Sequence, residues 1–277
     1  MGCTAEMRSV YDTARHALLR ALRLVAPRYG LRSDDVIVAA FPKSGSTWLR
    51  FIVANIVSLL ELDGRVVDYH LLNGALACEF DTLRLPTLGY SAMPRFMKTH
   101  RLYDERFFGH HRSILLVRHP GDVMVSFFEY SARLRGPGRY TGSLSDFLRH
   151  PRRGLQAWLE HTRSWMERAR AVVRYEELGS KPISTVRRIL DTAGVAVPDE
   201  IIVSATERAD FKRIRRMEEE RGLDARARAH LEEGFRFARR GVVGEWKDRL
   251  SLADVEWATR AVEGAAGYSW DRVERRR

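Results

Sequence analysis

A loop with the composition of an anion cradle spans residues 42–48, which read Pro-Lys-Ser-Gly-Ser-Thr-Trp. It stands between a short apolar run and a helical pattern. A helix amino terminus offers unpaired backbone N–H groups and the positive end of its dipole. Gly45 permits close backbone approach, Lys43 adds a compact charge, and Ser46 and Thr47 add hydroxyl donors. The loop therefore predicts a site for a phosphate-like oxyanion; the alternative is an ordinary proline-containing turn. The spacing is not that of a Walker loop, because the lysine precedes the glycine.

Two further groups stand where apolar runs end. Arg118 follows the run 113–117, and Ser126 lies two helical turns further on. They suit a second anion, or else are a surface arginine and a helix-interior serine. Lys98 and His100 stand at the end of the run that begins at Phe96, and an imidazole there suits a general base. The alternative for His100 is a satisfied polar residue.

Alternating apolar runs and helical patterns must position these groups. Short apolar runs typical of buried parallel strands occupy 36–41, 96–99, 113–117 and 171–175. Helical spacing is found at 5–26, 48–59, 120–133, 144–150, 154–170, 181–193, 198–208, 211–220 and 251–265. The order predicts an α/β fold with a central, mainly parallel sheet flanked by helices. We expect one P-loop-like domain over residues 1–277, with an amino-terminal helix within 1–30.

Composition limits the classes of protein. The 277 residues carry 47 Lys plus Arg against 36 Asp plus Glu, a formal charge of +11, and 45% are hydrophobic. Such a chain buries a core and is not disordered. The apolar runs are too short to predict a membrane span. Two cysteines cannot form a disulfide framework, which favours a reducing, cytoplasmic location. Only five of the 47 basic residues are lysines, a bias that predicts a bacterial source.

Five segments, taken in order, resemble the sulfotransferases that use 3′-phosphoadenosine 5′-phosphosulfate (PAPS), in particular the cytosolic branch. Residues 42–48 resemble their 5′-phosphosulfate loop, and 118–126 resemble their 3′-phosphate motif. The other three are similar to the segment of the catalytic histidine, an internal Arg-Tyr-Glu-Glu segment and the carboxyl-terminal Arg-Lys-Gly loop; they are 98–100, 174–178 and 239–247.

The resemblance implies transfer of a sulfuryl group from PAPS to a hydroxyl or amine of a small-molecule, glycan or lipid acceptor. It implies His100 as general base, Lys43 at the bridging oxygen of the leaving group, and Lys98 at the sulfuryl or phosphate oxygens. The implied nucleotide-binding residues are Lys43, Ser44, Gly45, Ser46, Thr47, Trp48, Arg118, Ser126, Tyr175, Phe211, Arg239, Arg240 and Gly241. Trp48 and Phe211 would flank adenine. The resemblance implies no metal.

Some positions depart from the family pattern. Arg240 stands where the family has lysine, and Ala209-Asp210 stands where it often has Thr-Ser. Residues 247–256 loosely resemble the family's dimer motif, which predicts a homodimer through this region. Residues 221–245 are polar and punctuated by glycine, so we expect a mobile loop that covers the nucleotide.

Two other classes stay open at this point. A P-loop enzyme of the small-molecule kinase type would need a Walker lysine and a Mg²⁺-binding carboxylate, and neither is evident. A basic nucleic-acid binder would cluster its arginines with aromatic residues, whereas here arginines are interspersed with acids, as in 212–233. We therefore predict no nucleic-acid partner.

Overall fold

A parallel four-stranded sheet organises the residues that the structure describes, which are 30–76, 78–82 and 84–264 of a computed structural model. The strands are β1 Val36–Ala40, β2 Phe96–Thr99, β3 Arg112–Val117 and β4 Ala171–Arg174. Their order is β2-β1-β3-β4, and every pairing is parallel. The carboxyl ends of all four strands therefore lie at one edge of the sheet.

Helices connect and flank the strands. They are α1 Ser46–Glu61, α2 Glu105–Phe108, α3 Pro120–Ala132, α4 Leu144–Leu148, α5 Leu155–Met166, α6 Tyr175–Ser180, α7 Pro182–Ala193, α8 Asp199–Arg208, α9 Phe211–Arg221, α10 Ala225–His230, α11 Trp246–Arg249 and α12 Leu252–Glu263. A short π-helical turn covers Leu71–Ala75, and a 3₁₀ turn covers Gly136–Gly138.

Two apolar cores lie on opposite faces of the sheet, because successive side chains of a strand point to opposite sides. Val36 and Val38 of β1 belong to the core that contains residues of α1, α7 and α8. Ile37 and Ala39 belong to the core that contains residues of α3, α5 and α12. All five residues of β1 are buried. This central strand therefore gives a rigid base to the loop that follows it.

The predicted α/β architecture is confirmed, with small shifts at element ends. The first strand ends at Ala40 instead of residue 41, and Tyr175 begins α6 instead of ending β4. The polar stretch 221–245 contains α10, whose first turn is capped by the carboxylate of Asp224. The predicted helix at 5–26 lies outside the described residues. In the part of the chain that the structure describes, no helix is long and apolar enough to cross a membrane.

Candidate active site

A cavity of about 400 Å³ lies at the carboxyl edge of the sheet. Parallel α/β sheets bind ligands at this edge. The cavity brings together residues that follow β1, β2, β3 and β4 and that begin α9. Of the residues predicted from the sequence, it is lined by Lys43, Gly45, Ser46, Thr47, Trp48, Lys98, His100, Arg118, Ser126, Tyr175 and Phe211. Ser44, Arg239, Arg240 and Gly241 do not line it.

The loop from β1 to α1 is held in an unusual backbone conformation. Lys43 has a φ of 71° and Gly45 a φ of 101°, both in the left-handed region. A Cβ on Gly45 would lie 2.4 Å from the ring of Tyr175, so only glycine fits beside that ring. Ser46 then begins α1, whose amino terminus faces the cavity. Ser44 is buried under the loop, and its hydroxyl has no hydrogen-bond partner among the described residues.

The ammonium of Lys43 lies among aromatic rings and other cations. Its Nζ atom is 4.9 Å from the ring centre of Tyr130 and 5.3 Å from that of Phe237. Burial lowers the pKa of Lys43 to about 8, and the charges of Arg118 and Arg239 add to the effect. A cation whose charge is disfavoured in this way gains when an anion enters the cavity.

His100 is oriented by the first strand. Its Nδ1 atom lies 2.5 Å from the carbonyl oxygen of Ala40. A carbonyl only accepts, so Nδ1 carries the proton and Nε2 is the nitrogen that accepts one. The backbone N–H of His100 donates to Asp81 at 2.7 Å. Burial, together with the charge of Lys98, lowers the pKa of His100 to about 3. The imidazole is therefore neutral near pH 7.

Lys98 is paired with a carboxylate that the sequence reading missed. Its Nζ atom lies 2.7 Å from Oε1 of Glu79, and both residues line the cavity. Although burial alone raises the pKa of Glu79, the charge and hydrogen bond of Lys98 lower it to about 2. Backbone bonds bring the pair together: Lys98 N donates to Cys78 O, and Phe80 N to Lys98 O. Nothing in the spacing of the sequence signals this edge pairing.

Arg118 is buried at the end of β3. Its guanidinium lies 4.3 Å above the ring of Tyr175, and Nη2 donates to the carbonyl of Val242 at 3.1 Å. Its Nε atom is buried and has no hydrogen-bond partner in the described part of the chain. A buried donor without a partner costs free energy, so the group is suited to an incoming acceptor. Ser126, two turns along α3, lines the same cavity.

Aromatic rings close the side of the cavity nearest α9. Trp48 packs edge-on against Tyr175, with ring centres 5.3 Å apart, and its Nε1 donates to the carbonyl of Ala209 at 2.8 Å. Asp210 accepts from the backbone N–H of Lys212 and so caps α9, which begins at Phe211. Asp210 therefore serves the start of the helix through its side chain, whereas the contact with Trp48 uses a backbone carbonyl that any residue at 209 would offer.

We call residues 231–246 the arginine segment. In it, Arg239 and Arg240 pair with the buried carboxylate of Glu245, at 2.5 and 3.4 Å. Gly241 has a φ of 64°, and a Cβ there would lie 2.6 Å from the ring of Phe211. The three predicted residues are thus beside the cavity and not in its lining. Glu245 was missed because its partners are evident only in the folded chain.

Arg118 and Asp122 connect this segment to the strand edge. Asp122 is almost fully buried and accepts from the backbone N–H groups of Gly244 and Trp246, at 2.8 and 3.1 Å. Arg118 reaches the same carboxylate at 3.8 Å. The ring of Trp246 stacks on that of His119 at 4.8 Å. The end of the arginine segment is therefore fixed on the start of α3.

Such a sheet edge, with a helix amino terminus, three cationic side chains and a neutral imidazole, suits a transferase that acts on an anionic donor. No group of side chains in the described residues has the make-up of a metal site. Comparison with known proteins gives the family. Residues 33–267 match the family model described as Sulfotransferase domain, so the chain belongs to the sulfotransferase family. This assignment confirms the predicted family and decides against the kinase alternative.

Individual relatives agree with the assignment. Mouse Sulfotransferase 1A1 is 26% identical over 243 residues, covering 80% of this chain and 81% of that protein. Human Sulfotransferase 2B1 is 28% identical over 273 residues, covering 91% and 73%. A solved structure of retinol dehydratase with androsterone and the inactive cofactor PAP superposes with a TM-score of 0.65 at 20% identity. It covers 85% of this chain and 81% of that one, and it supports the fold.

Proposed function

We propose that this sulfotransferase moves the sulfuryl group of PAPS to a hydroxyl or amine of a small-molecule or glycan acceptor. The observation that carries the proposal is the convergence of Lys43, Arg118 and the amino terminus of α1 on one cavity that also contains His100. Three similar solved structures are described with the product nucleotide 3′-phosphoadenosine 5′-phosphate (PAP), which carries two separate phosphates. Two separate cationic groups in this chain suit such a ligand.

The residues present fit that nucleotide. The backbone N–H groups at Gly45, Ser46 and Thr47 suit the 5′-phosphate, since they belong to the start of α1. The unpartnered Nε of Arg118 and the hydroxyl of Ser126 suit the 3′-phosphate. Trp48 and Phe211 offer ring faces for adenine, and Tyr175 fills the space between Trp48 and Arg118.

The donor supplies an activated sulfuryl group, and the chain supplies charge and proton transfer. We assign to His100 Nε2 the removal of the acceptor proton, because Nδ1 is committed to Ala40. Lys43 stabilises negative charge that develops on the leaving group. Lys98 has the same task at the transferred group, and to perform it must weaken its bond to Glu79.

Arg239, Arg240 and Gly241 are assigned to the 3′-phosphate as well. Binding there requires the two arginines to exchange Glu245 for the phosphate, since both are paired with that carboxylate. Arginine forms bidentate bonds to phosphate, so Arg240 in place of lysine suits the task. We keep the prediction that residues 221–245 move when the nucleotide enters.

We place the acceptor at the side of the cavity that contains His100 and Glu79, and this side favours an uncharged molecule with an apolar ring or chain. Phe127, Tyr130 and Phe237 line it together with the anionic Glu79. Aromatic side chains bury apolar surface, and a carboxylate repels acidic acceptors. Which hydroxyl compound or glycan is sulfated is a question for a substrate screen.

Two experiments test the proposal. Thermal unfolding should show PAP raising the unfolding temperature far more than ATP with Mg²⁺, because only a ligand of the native state stabilises it. Incubation with PAPS and a panel of acceptors, followed by mass spectrometry, should reveal products that gained a sulfuryl group. Stabilisation by ATP with Mg²⁺ and not by PAP would contradict the proposal.

We further propose a homodimer through residues 247–256, a cytoplasmic location and a bacterial source. Leu252 is the first residue of α12 and is 85% exposed, so it offers an apolar contact that supports the dimer. Light scattering on the purified chain, with Leu252→Glu as the variant and Leu85→Glu as an exposed-leucine control, tests it. A monomeric wild-type chain contradicts it.

A further inference from the structure

A buried glutamate on α9 holds the middle of the arginine segment. The two carboxylate oxygens of Glu218 accept from the backbone N–H groups of Phe237 and Ala238, at 2.7 and 2.9 Å. The residue is 6% exposed. It follows Ile214 by one helical turn, so the two share the buried face of α9. Its neighbour Glu219 is exposed and pairs with Arg215 and with Arg236 of the arginine segment.

Glu218 holds the backbone of the arginine segment in the same way as Asp122 does. Asp122 holds two backbone N–H groups at the far end of the segment, those of Gly244 and Trp246. Between these two anchors lie only residues 239–243, which include Arg239, Arg240 and Gly241. Backbone N–H groups bonded to a buried carboxylate are among the stronger hydrogen bonds in proteins. The stretch is therefore fixed at both ends by a carboxylate.

The hydrogen bonds to Glu218 also fix the position of two residues that line the cavity. Phe237 and Ala238 line it, and the ring of Phe237 lies 5.3 Å from Nζ of Lys43. Phe237 also stacks on Tyr69, whose hydroxyl donates to Glu218 at 3.5 Å. A displacement of the backbone at 237–238 would therefore move both a wall of the cavity and the approach to Arg239.

We propose that Glu218 is a positioning residue for recognition of the nucleotide's 3′-phosphate: it fixes the backbone that leads into Arg239, Arg240 and Gly241. The inference rests on the proposed function, because it takes PAP as the ligand. Glu218 acts through the arginine segment and not by contact with the ligand. Loss of these hydrogen bonds therefore weakens binding of nucleotides that carry a 3′-phosphate much more than binding of nucleotides that lack it.

The test is a calorimetric comparison of two probes on the full chain. PAP carries the 3′-phosphate, and adenosine 5′-monophosphate lacks it. Glu218→Gln retains the shape but places an amide NH₂ against one of the two backbone N–H groups. We expect PAP to bind about tenfold more weakly to this variant and adenosine 5′-monophosphate to change by less than about twofold. In turnover assays, KM for PAPS should rise while kcat at saturation stays near the wild-type value.

Controls separate positioning from general damage. Glu220→Gln, at an exposed position of the same helix, should bind both probes as the wild type does. If Glu218→Gln does not fold, Glu218→Asp carries the same comparison, since it keeps the charge but is too short to reach both N–H groups. Equal losses for the two probes, or no loss for PAP, overturn the inference. A wild-type chain without a preference for PAP instead overturns the proposed function.

Discussion

The strand edge and the arginine segment form the same cavity by different means. At the strand edge, His100 bonds to the carbonyl of Ala40, the last residue of β1, and Arg118 directly follows β3. All of β1 is buried, and so is β3 from Ser113 to Val117. The arginine segment buries few residues, Leu231, Ala238 and Glu245 among them. It is held by carboxylates that accept its backbone N–H groups.

The difference separates two tasks. Groups on buried strands are held precisely, which suits proton transfer and charge stabilisation. In the arginine segment the backbone is held at two points, but the partly exposed arginines between them can exchange their ion pairs at modest cost, which suits entry and release of a nucleotide. We therefore expect variants at the strand edge to impair the chemical step, and variants in the arginine segment to alter nucleotide affinity.

The largest effect is expected at His100. His100→Ala should lower kcat by roughly 10²–10⁴-fold, because the general base is lost. PAP affinity should persist, since the residue is assigned to the acceptor side. The measurement is initial rate against PAPS, with calorimetry for PAP. His110→Ala, an exposed histidine, is the control; near-normal turnover of His100→Ala would remove the residue from the mechanism.

Substitution of two glycines with positive φ, one in each region, allows a direct comparison of the two regions. Gly45→Ala places a Cβ 2.4 Å from the Tyr175 ring in the rigid loop, whereas Gly241→Ala places one 2.6 Å from Phe211 in the arginine segment. We expect Gly45→Ala to lower the unfolding temperature by roughly 5 °C or more and to abolish PAP binding. Gly241→Ala should mainly weaken PAP binding.

Calorimetry and thermal unfolding of both glycine variants measure this. Gly74→Ala is the control, because no atom lies within 4 Å of a Cβ there. Equal losses of stability at both sites would contradict the distinction between a rigid and an adaptable region.

The pH dependence reports on the strand edge. With the pKa of Lys43 lowered to about 8, kcat/KM for PAPS should fall as pH rises above about 8, because the ammonium loses its proton. Because a single proton is lost, kcat/KM should fall about tenfold for each pH unit above the pKa. Lys43→Arg should remove this decline. Because the pKa of His100 is about 3, its protonation should not slow the enzyme between pH 7 and 5.

The smallest effect is expected in the arginine segment. Glu245→Gln removes the charge that competes with the 3′-phosphate for Arg239 and Arg240. Partly exposed ion pairs are weak, so PAP affinity should rise only about two- to threefold, with adenosine 5′-monophosphate unchanged. Calorimetry is the measurement. Weaker PAP binding would show instead that Glu245 positions the arginines.

Much of the fold and of the site was predictable from the sequence. All four strands and the helices α1, α3, α7, α8, α9 and α12 follow from local periodicity, with no end shifted by more than two residues. The loop at 42–48, His100 and Arg118 were predicted because each follows directly on a strand. Local patterns are sufficient there, since neighbours in sequence are neighbours in space.

The carboxylates around the site were not predictable. Glu79 meets Lys98 through a backbone pairing 19 positions away, and Asp122 meets Gly244 from a distance of 122 positions. Glu218 is one of three consecutive glutamates, residues 218–220, and only the fold buries it.

The sequence by itself determined which residues could bind an anion or remove a proton, because residue type and strand-end position decide that. Only the tertiary structure decided which charges meet. It paired Lys98 with Glu79 and Arg239 with Glu245, and it placed the ring of Tyr175 against Gly45. Such contacts depend on how distant segments pack, and hydrogen bonds between them leave no periodic trace in the chain.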